Sequence, residues 1–263
     1  MIIALAKKMT RQSLQATLES PESDESSHLL VVTEPSPTSR DSSQRRIASR
    51  HILEIIWDCY MKHQVDDSLF FYSLFQHSPD FAAAAGWIFE FRMHQLLQEG
   101  GPIELFPIVG ARANTNFAWK DYKATVNGKN PMFLQLPPSE ESPLVEQAEL
   151  DVGHYYRPQA NNFPAIDSLL LIHPPNESPI LLMFQMTRDK DGHGINKCGL
   201  IKVDAFNLPP NTRKYYVVVT PYDIHPKIMA SLSYLEDEDS GQAFSVFHYP
   251  VHEDAIFDKD KHN

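Results

Sequence analysis

Two short apolar runs separated by a turn segment constrain the fold of this chain more than any other feature. Ser168–Ile172 and Ile180–Phe184 are apolar apart from the first serine, and residues 173–179 between them contain three prolines and an asparagine. Because Pro and Asn favour turns, the pattern predicts two β-strands joined by a turn. A further run, Lys214–Thr220, is rich in β-branched and aromatic residues and predicts a buried strand of a helix-flanked sheet.

The hydrophobic pattern of the rest of the chain predicts helices and strands before the two central runs and again after them. Helical spacing covers residues 47–60, 69–75 and 81–98. Strand-like runs cover residues 29–33, 103–109, 117–122 and 131–136. Beyond the central runs the pattern predicts helices at 195–206 and 224–235 and an edge strand at 243–250. This order predicts an α/β fold with a mixed β-sheet flanked by helices and preceded by a helical segment.

Composition changes along the chain predict three regions. Residues 1–45 are expected to be a flexible or remnant N-terminal segment, because Glu19–Ser27 is acidic and serine-rich and Pro35–Ser43 has a linker-like composition. Residues 46–250 are expected to form the α/β domain together with its N-terminal helices. Residues 251–263 are expected to form a charged tail.

Charge, cysteine content and hydropathy limit the function classes. The net charge of −11 argues against a protein that coats DNA, since phosphate contacts need a basic surface. Two cysteines, Cys59 and Cys198, are too few for a disulfide framework and fit a reducing compartment. No apolar run approaches the roughly 18–20 residues that span a bilayer, and the start lacks the charge order of a signal peptide. The sequence therefore predicts no membrane association and an intracellular location, with the nucleus as one option.

Polar residues flank the two central runs where the predicted strands begin or end. Asp167 directly precedes the first run, and Gln185 and Thr187 follow the second. Residues two apart on a strand share a face, so Gln185 and Thr187 point the same way, and Asp167 lies near both if the strands are neighbours. An acid and an amide oxygen at strand ends are ligands that a hard cation such as Mg²⁺ accepts.

This arrangement resembles the PD-(D/E)XK nuclease superfamily, in which an acid on one strand and an acid-x-Lys on the next hold magnesium beside the scissile phosphate. Asp167 matches the first acid, Gln185 stands in the place of the second and Thr187 in the place of the Lys. Glu90, in a Gly-x-x-Phe-Glu-x-x-x-His segment, matches the glutamate that the family carries on the preceding helix. The resemblance implies a restriction-endonuclease-like fold with Asp167, Gln185 and Glu90 as metal ligands.

A wider set of motifs narrows the resemblance. The chain is similar, over roughly residues 48–250, to the C-terminal module of Crinkler-type and retrotransposon-hotspot-type proteins. The motifs that carry this similarity are Gly86-x-x-Phe89-Glu90, Asn162-Phe163-Pro164-Ala165-Ile166-Asp167, Gln185-Met186-Thr187-x5-His193 and Tyr215–Pro221. In those relatives a P-loop NTPase precedes the nuclease-like domain, whereas this sequence contains no G-x-x-x-x-G-K-[ST] signature.

The substitution at Thr187 changes what the resemblance implies about charge. A threonine cannot supply the positive charge that the family lysine places beside the attacked phosphate. Two nearby groups are candidates for this role, Lys197 on the predicted following helix and His193 in the loop before it. His94, one helical turn beyond Glu90, is expected to hold the Glu90 carboxylate in place.

Two functions from different classes are open at this point. The first is a Mg²⁺-dependent phosphodiesterase that acts on nucleic acid, with DNA as its partner. Its catalytic set would be Glu90, Asp167, Gln185, Thr187, His193 and Lys197. The second is a catalytically degenerate interaction or regulatory module, effector-like or left by a mobile element, with protein partners. The acidic charge and the absent lysine favour the second function, and the sequence indicates no oligomeric state.

Overall fold

The structure is a computed structural model that covers most of the segments with clear sequence patterns. The residues it describes are 30–36, 39–63, 68–76, 81–100, 102–109, 115–118, 132–134, 150–158, 166–188, 206–224 and 244–252, with the single positions 16 and 203. The helices are α1 (Arg50–His63), α2 (Ser68–Gln76) and α3 (Ala82–Glu99). The strands are β1 (Val31–Ser36), β2 (Ser39–Ile47), β3 (Pro102–Val109), β4 (Thr115–Ala118), β5 (Met132–Leu134), β6 (Tyr155–Pro158), β7 (Ser168–Ile172), β8 (Ile180–Met186), β9 (Arg213–Pro221) and β10 (Phe244–Val251).

The chain divides into two compact units. The first contains residues 1–91 and 257–263, and the second contains residues 92–256. The boundary falls within α3, so Glu90 belongs to the first unit, whereas Asp167 and the residues of β8 belong to the second. The region boundaries expected after residues 45 and 250 stay predictions.

A hairpin opens the first unit. β1 and β2 pair in antiparallel fashion, with Val31 opposite Ile47. The hairpin includes residues 35–36 and 39–43, whose composition suggested a linker. Proline is tolerated there because a two-stranded hairpin consists entirely of edge strands. Across the hairpin, Arg46 donates to both carboxylate oxygens of Glu34, at 2.9 Å from Nε and 2.5 Å from Nη2. These bonds lower the pKa of Glu34.

A serine caps the N-terminus of α1, the first helix of the first unit. Ser49 precedes α1, and its Oγ accepts a hydrogen bond from the backbone N–H of Ile52 at 3.2 Å, which satisfies a donor that the helix itself leaves unpaired. Apolar residues at helical spacing then bury one side of α1. The buried apolar residues of the helical part of this unit include Leu53, Ile56, Trp57, Tyr72, Phe75, Ala85, Ile88 and Phe89.

The second unit is built on a mixed β-sheet with the strand order β4-β3-β10-β9-β8-β7-β6-β5. Six strands from β3 to β6 form its body, and the short strands β4 and β5 extend it on either side. β8, β9 and β10 run parallel to one another, whereas β7 is antiparallel to β8 and β3 is antiparallel to β10. The prediction of an α/β fold around a mixed sheet is confirmed.

The two apolar runs form strands joined by a turn, as predicted, and the structure shows that these strands are neighbours in the sheet. Ser168 of β7 lies opposite Phe184 of β8, and Ile172 lies opposite Ile180. Every residue of β7 is buried, which explains why its sequence is continuously apolar rather than alternating. Asn176 in the connecting turn has a φ of 62°, a left-handed conformation that asparagine tolerates better than most residues.

The position of β10 differs from the prediction of an edge strand. β10 lies inside the sheet, parallel to β9 on one side and antiparallel to β3 on the other. Val246 and Phe247 point to opposite faces and are both buried, as expected of an interior strand. The alternation of polar and apolar residues in 243–250 suggested an edge strand, and His248 is one of the polar residues. In the structure a neighbouring strand supplies it with a hydrogen-bond partner.

The strands of the second unit are buried on both faces, and one buried cluster lies on one side of the sheet. We call this side the Tyr216 face. It carries Leu169, Leu171, Leu181, Met183, Tyr216, Val218 and Val246, which belong to a single buried cluster. Val203 and Phe206, at the end of the predicted helix 195–206, pack in the same cluster. The opposite face carries Tyr155, whose hydroxyl lies 2.7 Å from His94 Nδ1 of α3.

Several predicted elements lie outside the described residues. They are most of helix 195–206, helix 224–235 beyond its first residue, and residues 119–122, 131 and 135–136 of two predicted strands. In the described part of the chain, no helix combines the length and apolar character that a membrane crossing requires.

Candidate functional site

Asp167 and Gln185 meet where β7 begins and β8 ends. The backbone N–H of Asp167 donates to the carbonyl of Phe184 at 2.8 Å, which continues the antiparallel register past the start of β7. The Asp167 Oδ2 accepts one hydrogen bond from Gln185 Nε2 at 3.1 Å and another from the backbone N–H of Met186 at 2.6 Å. Both side chains are partly exposed. The acid and amide that the sequence singled out are therefore in direct contact.

Thr187 lies just beyond the end of β8. Its backbone N–H donates to the carbonyl of Val219 on β9 at 2.9 Å, so the parallel pairing of the two strands continues through this residue. The two-residue period of a strand places Thr187 on the same face as Gln185. Only 6% of Thr187 is exposed. The position at which the resemblance expects a lysine thus carries a buried hydroxyl and no positive charge.

The charge of Asp167 affects the pKa of Tyr216 in the core. This tyrosine is 1% exposed and belongs to the buried cluster of the Tyr216 face. Burial raises the pKa of its hydroxyl, and the nearby negative charge of Asp167 raises it further. The phenol consequently stays neutral in the folded protein over the physiological range. A neutral phenol cannot supply the positive charge that Thr187 lacks.

A second buried polar pair, which the sequence analysis missed, lies on the neighbouring parallel strands. Thr220 Oγ1 of β9 is 2.8 Å from His248 Nε2 of β10. The same hydroxyl lies 2.9 Å from the carbonyl oxygen of Pro221 and 2.8 Å from that of Ile224. Carbonyl oxygens only accept, so when the threonine proton goes to one of them, the hydroxyl oxygen accepts from a protonated Nε2 of His248. The direction of the bond between the two side chains follows the tautomer of His248.

The two polar pairs share one face and one end of the sheet. In register, Gln185 lies opposite Val218, and Val218 lies opposite His248. Strand periodicity then places five polar residues on the Tyr216 face near the carboxyl ends of the parallel strands. We call them the strand-end cluster: Asp167, Gln185, Thr187, Thr220 and His248. In open α/β sheets this end of the parallel strands is where ligands bind. That rule was the one sequence signal that could have drawn attention to Thr220.

Glu90, the predicted helix ligand, is engaged within the first unit. Its Oε1 and Oε2 accept hydrogen bonds from Arg50 at 2.6 and 3.1 Å, and the two side chains are 15% and 16% exposed. The Arg50 guanidinium also lies 5.2 Å from the centre of the Phe91 ring and contacts Glu54. Burial disfavours the charge on Arg50, but the charges and hydrogen bonds of Glu90 and Glu54 outweigh burial and raise the pKa of Arg50. The role of Glu90 as a metal ligand stays a prediction.

Of the other predicted site residues, the structure describes His94 but not His193 or Lys197. His94 is 2% exposed, and its Nδ1 pairs with the Tyr155 hydroxyl. Its expected role in holding Glu90 stays a prediction. His193 and Lys197, the two candidates for the missing positive charge, lie outside the described residues.

The residues assigned to Mg²⁺ at the strand ends fit a divalent cation poorly in this arrangement. Asp167 supplies a single negative charge, and Gln185 turns its amide nitrogen rather than its oxygen toward that carboxylate. A hard cation prefers several oxygen ligands, most of them charged. Among the described residues, no three His, Cys, Asp or Glu side chains form a group that could hold a metal ion.

Comparison of the chain with protein-family models, curated proteins and solved structures finds no significant match. The chain is therefore classified by its fold and by the residues of its strand-end cluster. The second unit is a mixed α/β sheet unit with a polar, largely self-bonded cluster at the carboxyl ends of its parallel strands.

Proposed function

We propose that this chain is a restriction-endonuclease-like module that has lost catalysis and serves in interactions with other proteins. The observation that carries the proposal is the double hydrogen bond to Asp167 Oδ2 from Gln185 Nε2 and the Met186 N–H. The nuclease relationship itself rests on the ordered sequence motifs that lead from Glu90 to Pro221.

The contact between Asp167 and Gln185 is attractive, whereas the contact between the two acids of a metal-dependent site is repulsive. Two carboxylates held side by side repel each other, and a bound cation relieves that repulsion. An amide at Gln185 instead donates to Asp167 and stabilises its charge with no cation present. The buried Thr187 then leaves no charge at the position from which a lysine would stabilise the attacked phosphate.

The overall charge supports the same proposal. Phosphate contacts supply most of the affinity of proteins for nucleic acid. A chain with 34 acidic residues against 23 Lys and Arg repels a polyanion unless it concentrates its cations on one surface. An acidic surface is better matched to a basic protein partner.

A Mg²⁺-dependent phosphodiesterase acting on DNA is the second candidate. The observation that favours it is the meeting of Asp167 and Gln185 at partly exposed strand ends, in the order that the nuclease resemblance requires. In this candidate His193 or Lys197 supplies the missing positive charge, and the role of Glu90 as a ligand is the one that the nuclease resemblance implies. An intracellular location, with the nucleus as one compartment, belongs to both candidates.

Restoring the family residues tests the proposal directly. We would measure Mn²⁺ and Mg²⁺ binding by calorimetry, and plasmid nicking on the same samples, for the wild type and for Gln185→Glu with Thr187→Lys. The wild type is expected to bind neither cation measurably and to leave plasmid intact. The double variant is expected to bind Mn²⁺ in about the millimolar range, because a second carboxylate then faces Asp167.

Asp167→Asn provides the matched control in both backgrounds. Added to the double variant, it is expected to abolish the gained Mn²⁺ binding, which would locate the cation at Asp167. Nicking by the wild type that Asp167→Asn removes would overturn the proposed loss of catalysis and establish the phosphodiesterase instead.

A further inference from the structure

An exposed aromatic stack stands at the carboxyl ends of β9 and β10. The rings of Tyr222 and His252 lie 3.7 Å apart between centres, with their planes inclined by 21°. Tyr222 is 53% exposed, a large fraction for such a ring, and His252 is exposed as well. The backbone N–H of Tyr222 donates to the carbonyl of Val251 at 2.9 Å.

The stack holds the Tyr222 ring in a fixed orientation. His252 covers one ring face, so the exposure of Tyr222 lies on the other face and on the ring edge. The backbone bond to Val251 continues the pairing of Pro221 with Val251 and fixes the two residues relative to the sheet. A partner that stacks on the outer face of Tyr222 therefore loses little binding energy to ordering the ring.

The chemistry of this position favours a cationic, planar group. The face of a tyrosine ring carries negative charge density that attracts cations. Arginine is the side chain that stacks flat on such a ring and also pairs with a carboxylate, and Asp223, an exposed acid, directly follows Tyr222. The net charge of −11 draws a basic segment toward the chain and repels a polyanion.

We propose that the Tyr222–His252 stack is a docking point for an arginine side chain in a basic segment of a protein partner. This inference rests on the proposed interaction function and names its partner class. Stacking of an unpaired nucleic-acid base on the same ring is the competing occupant, and the acidic charge disfavours it.

Fluorescence anisotropy with labelled peptides on the full chain tests the inference. The probes are an arginine–glycine repeat peptide, a lysine–glycine peptide of equal length and charge, and a thymidine oligonucleotide. The wild type is expected to bind the arginine peptide about two- to fivefold more tightly than the lysine peptide. Tyr222→Ala is expected to remove that preference, whereas Tyr222→Phe retains it because the ring face is kept.

The outcomes separate this inference from the proposed function. An arginine preference that survives Tyr222→Ala in a variant with unchanged thermal unfolding overturns the docking point. Absence of peptide binding by the wild type overturns it too, as does oligonucleotide binding that depends on Tyr222 when peptide binding does not. Wild-type plasmid nicking with an intact, Tyr222-dependent arginine preference overturns only the proposed loss of catalysis.

Discussion

At the residue scale, Asp167 and Gln185 show how one substitution changes the chemistry of a strand end. A glutamate at position 185 would place a second negative charge beside Asp167 and favour a cation between them. The glutamine found there donates its amide proton to Asp167 Oδ2 and joins the backbone N–H of Met186 in satisfying it. With glutamine at position 185, hydrogen bonds from the chain itself satisfy Asp167 Oδ2.

The residue scale also carries a prediction about alkaline pH. Burial raises the pKa of Tyr249 on β10 to about 12. The unfolded tyrosine ionises near its ordinary value of about 10, whereas the folded one stays neutral, so the unfolded state binds fewer protons in this window. The contribution of this group to the free energy of unfolding is therefore fully present below about pH 10. As the pH rises toward about 12, the free energy of unfolding falls by roughly 2 kcal/mol.

Urea unfolding of the wild type and Tyr249→Phe at about pH 8 and about pH 11 measures this loss. The phenylalanine variant is expected to lose less free energy of unfolding between the two pH values, because it has no hydroxyl to ionise. Other groups that titrate in the window are common to both proteins and cancel in the difference. Equal losses in the two proteins would show that the Tyr249 hydroxyl ionises as readily in the folded state as in the unfolded one.

At the scale of elements, the sequence predicts what depends on local pattern and misses what depends on pairing. The apolar runs of β7 and β8, bounded by Pro and Asn, predict two strands joined by a turn, and the structure shows these strands as an antiparallel pair. The contact of Asp167 with Gln185 follows from that pair. Thr220 and His248 escaped notice because they are 28 residues apart, and no local pattern reveals the parallel register that joins them. For the same reason β10 was wrongly predicted to be an edge strand.

The bond between Thr220 and His248 is expected to stabilise the junction of β9 and β10. Thr220→Val keeps the shape of the side chain but leaves the buried Nε2 of His248 without this hydrogen-bond partner, and it removes the hydroxyl from the turn that follows β9. We expect the free energy of unfolding to fall by about 2 kcal/mol, the usual cost of breaking a buried hydrogen bond. Chemical denaturation measures the change.

Thr220→Ser is the matched control, since it retains the hydroxyl and is expected to cost less than Thr220→Val. A double-mutant cycle with His248→Leu isolates the pairwise contribution. Additive losses in that cycle would mean that the two side chains do not stabilise each other, and the pair would then be an accident of packing.

At the scale of the whole molecule, net charge bears on the choice between the two functional candidates. A phosphodiesterase must first bind a polyanion, and the electrostatic contribution to that binding depends on cationic surface. The sequence gives 23 Lys and Arg against 34 Asp and Glu. Three of the described arginines already pair with acids: Arg46 with Glu34, Arg50 with Glu90 and Arg213 with Glu177. They are therefore less available to phosphates.

The last prediction follows from this balance of charge. At about physiological salt, the wild type is expected to bind a short DNA duplex more weakly than about 10⁻⁴ M, the weak end of ordinary non-specific binding. Anisotropy of a labelled duplex measures the affinity, with and without Mg²⁺ and over a range of salt concentrations. Micromolar binding that weakens steeply with salt would reveal a concentrated basic surface and would favour the phosphodiesterase. Binding that appears only with Mg²⁺ and disappears in Asp167→Asn would place a cation at the strand-end cluster, because the loss of one negative charge by itself would strengthen binding to a polyanion.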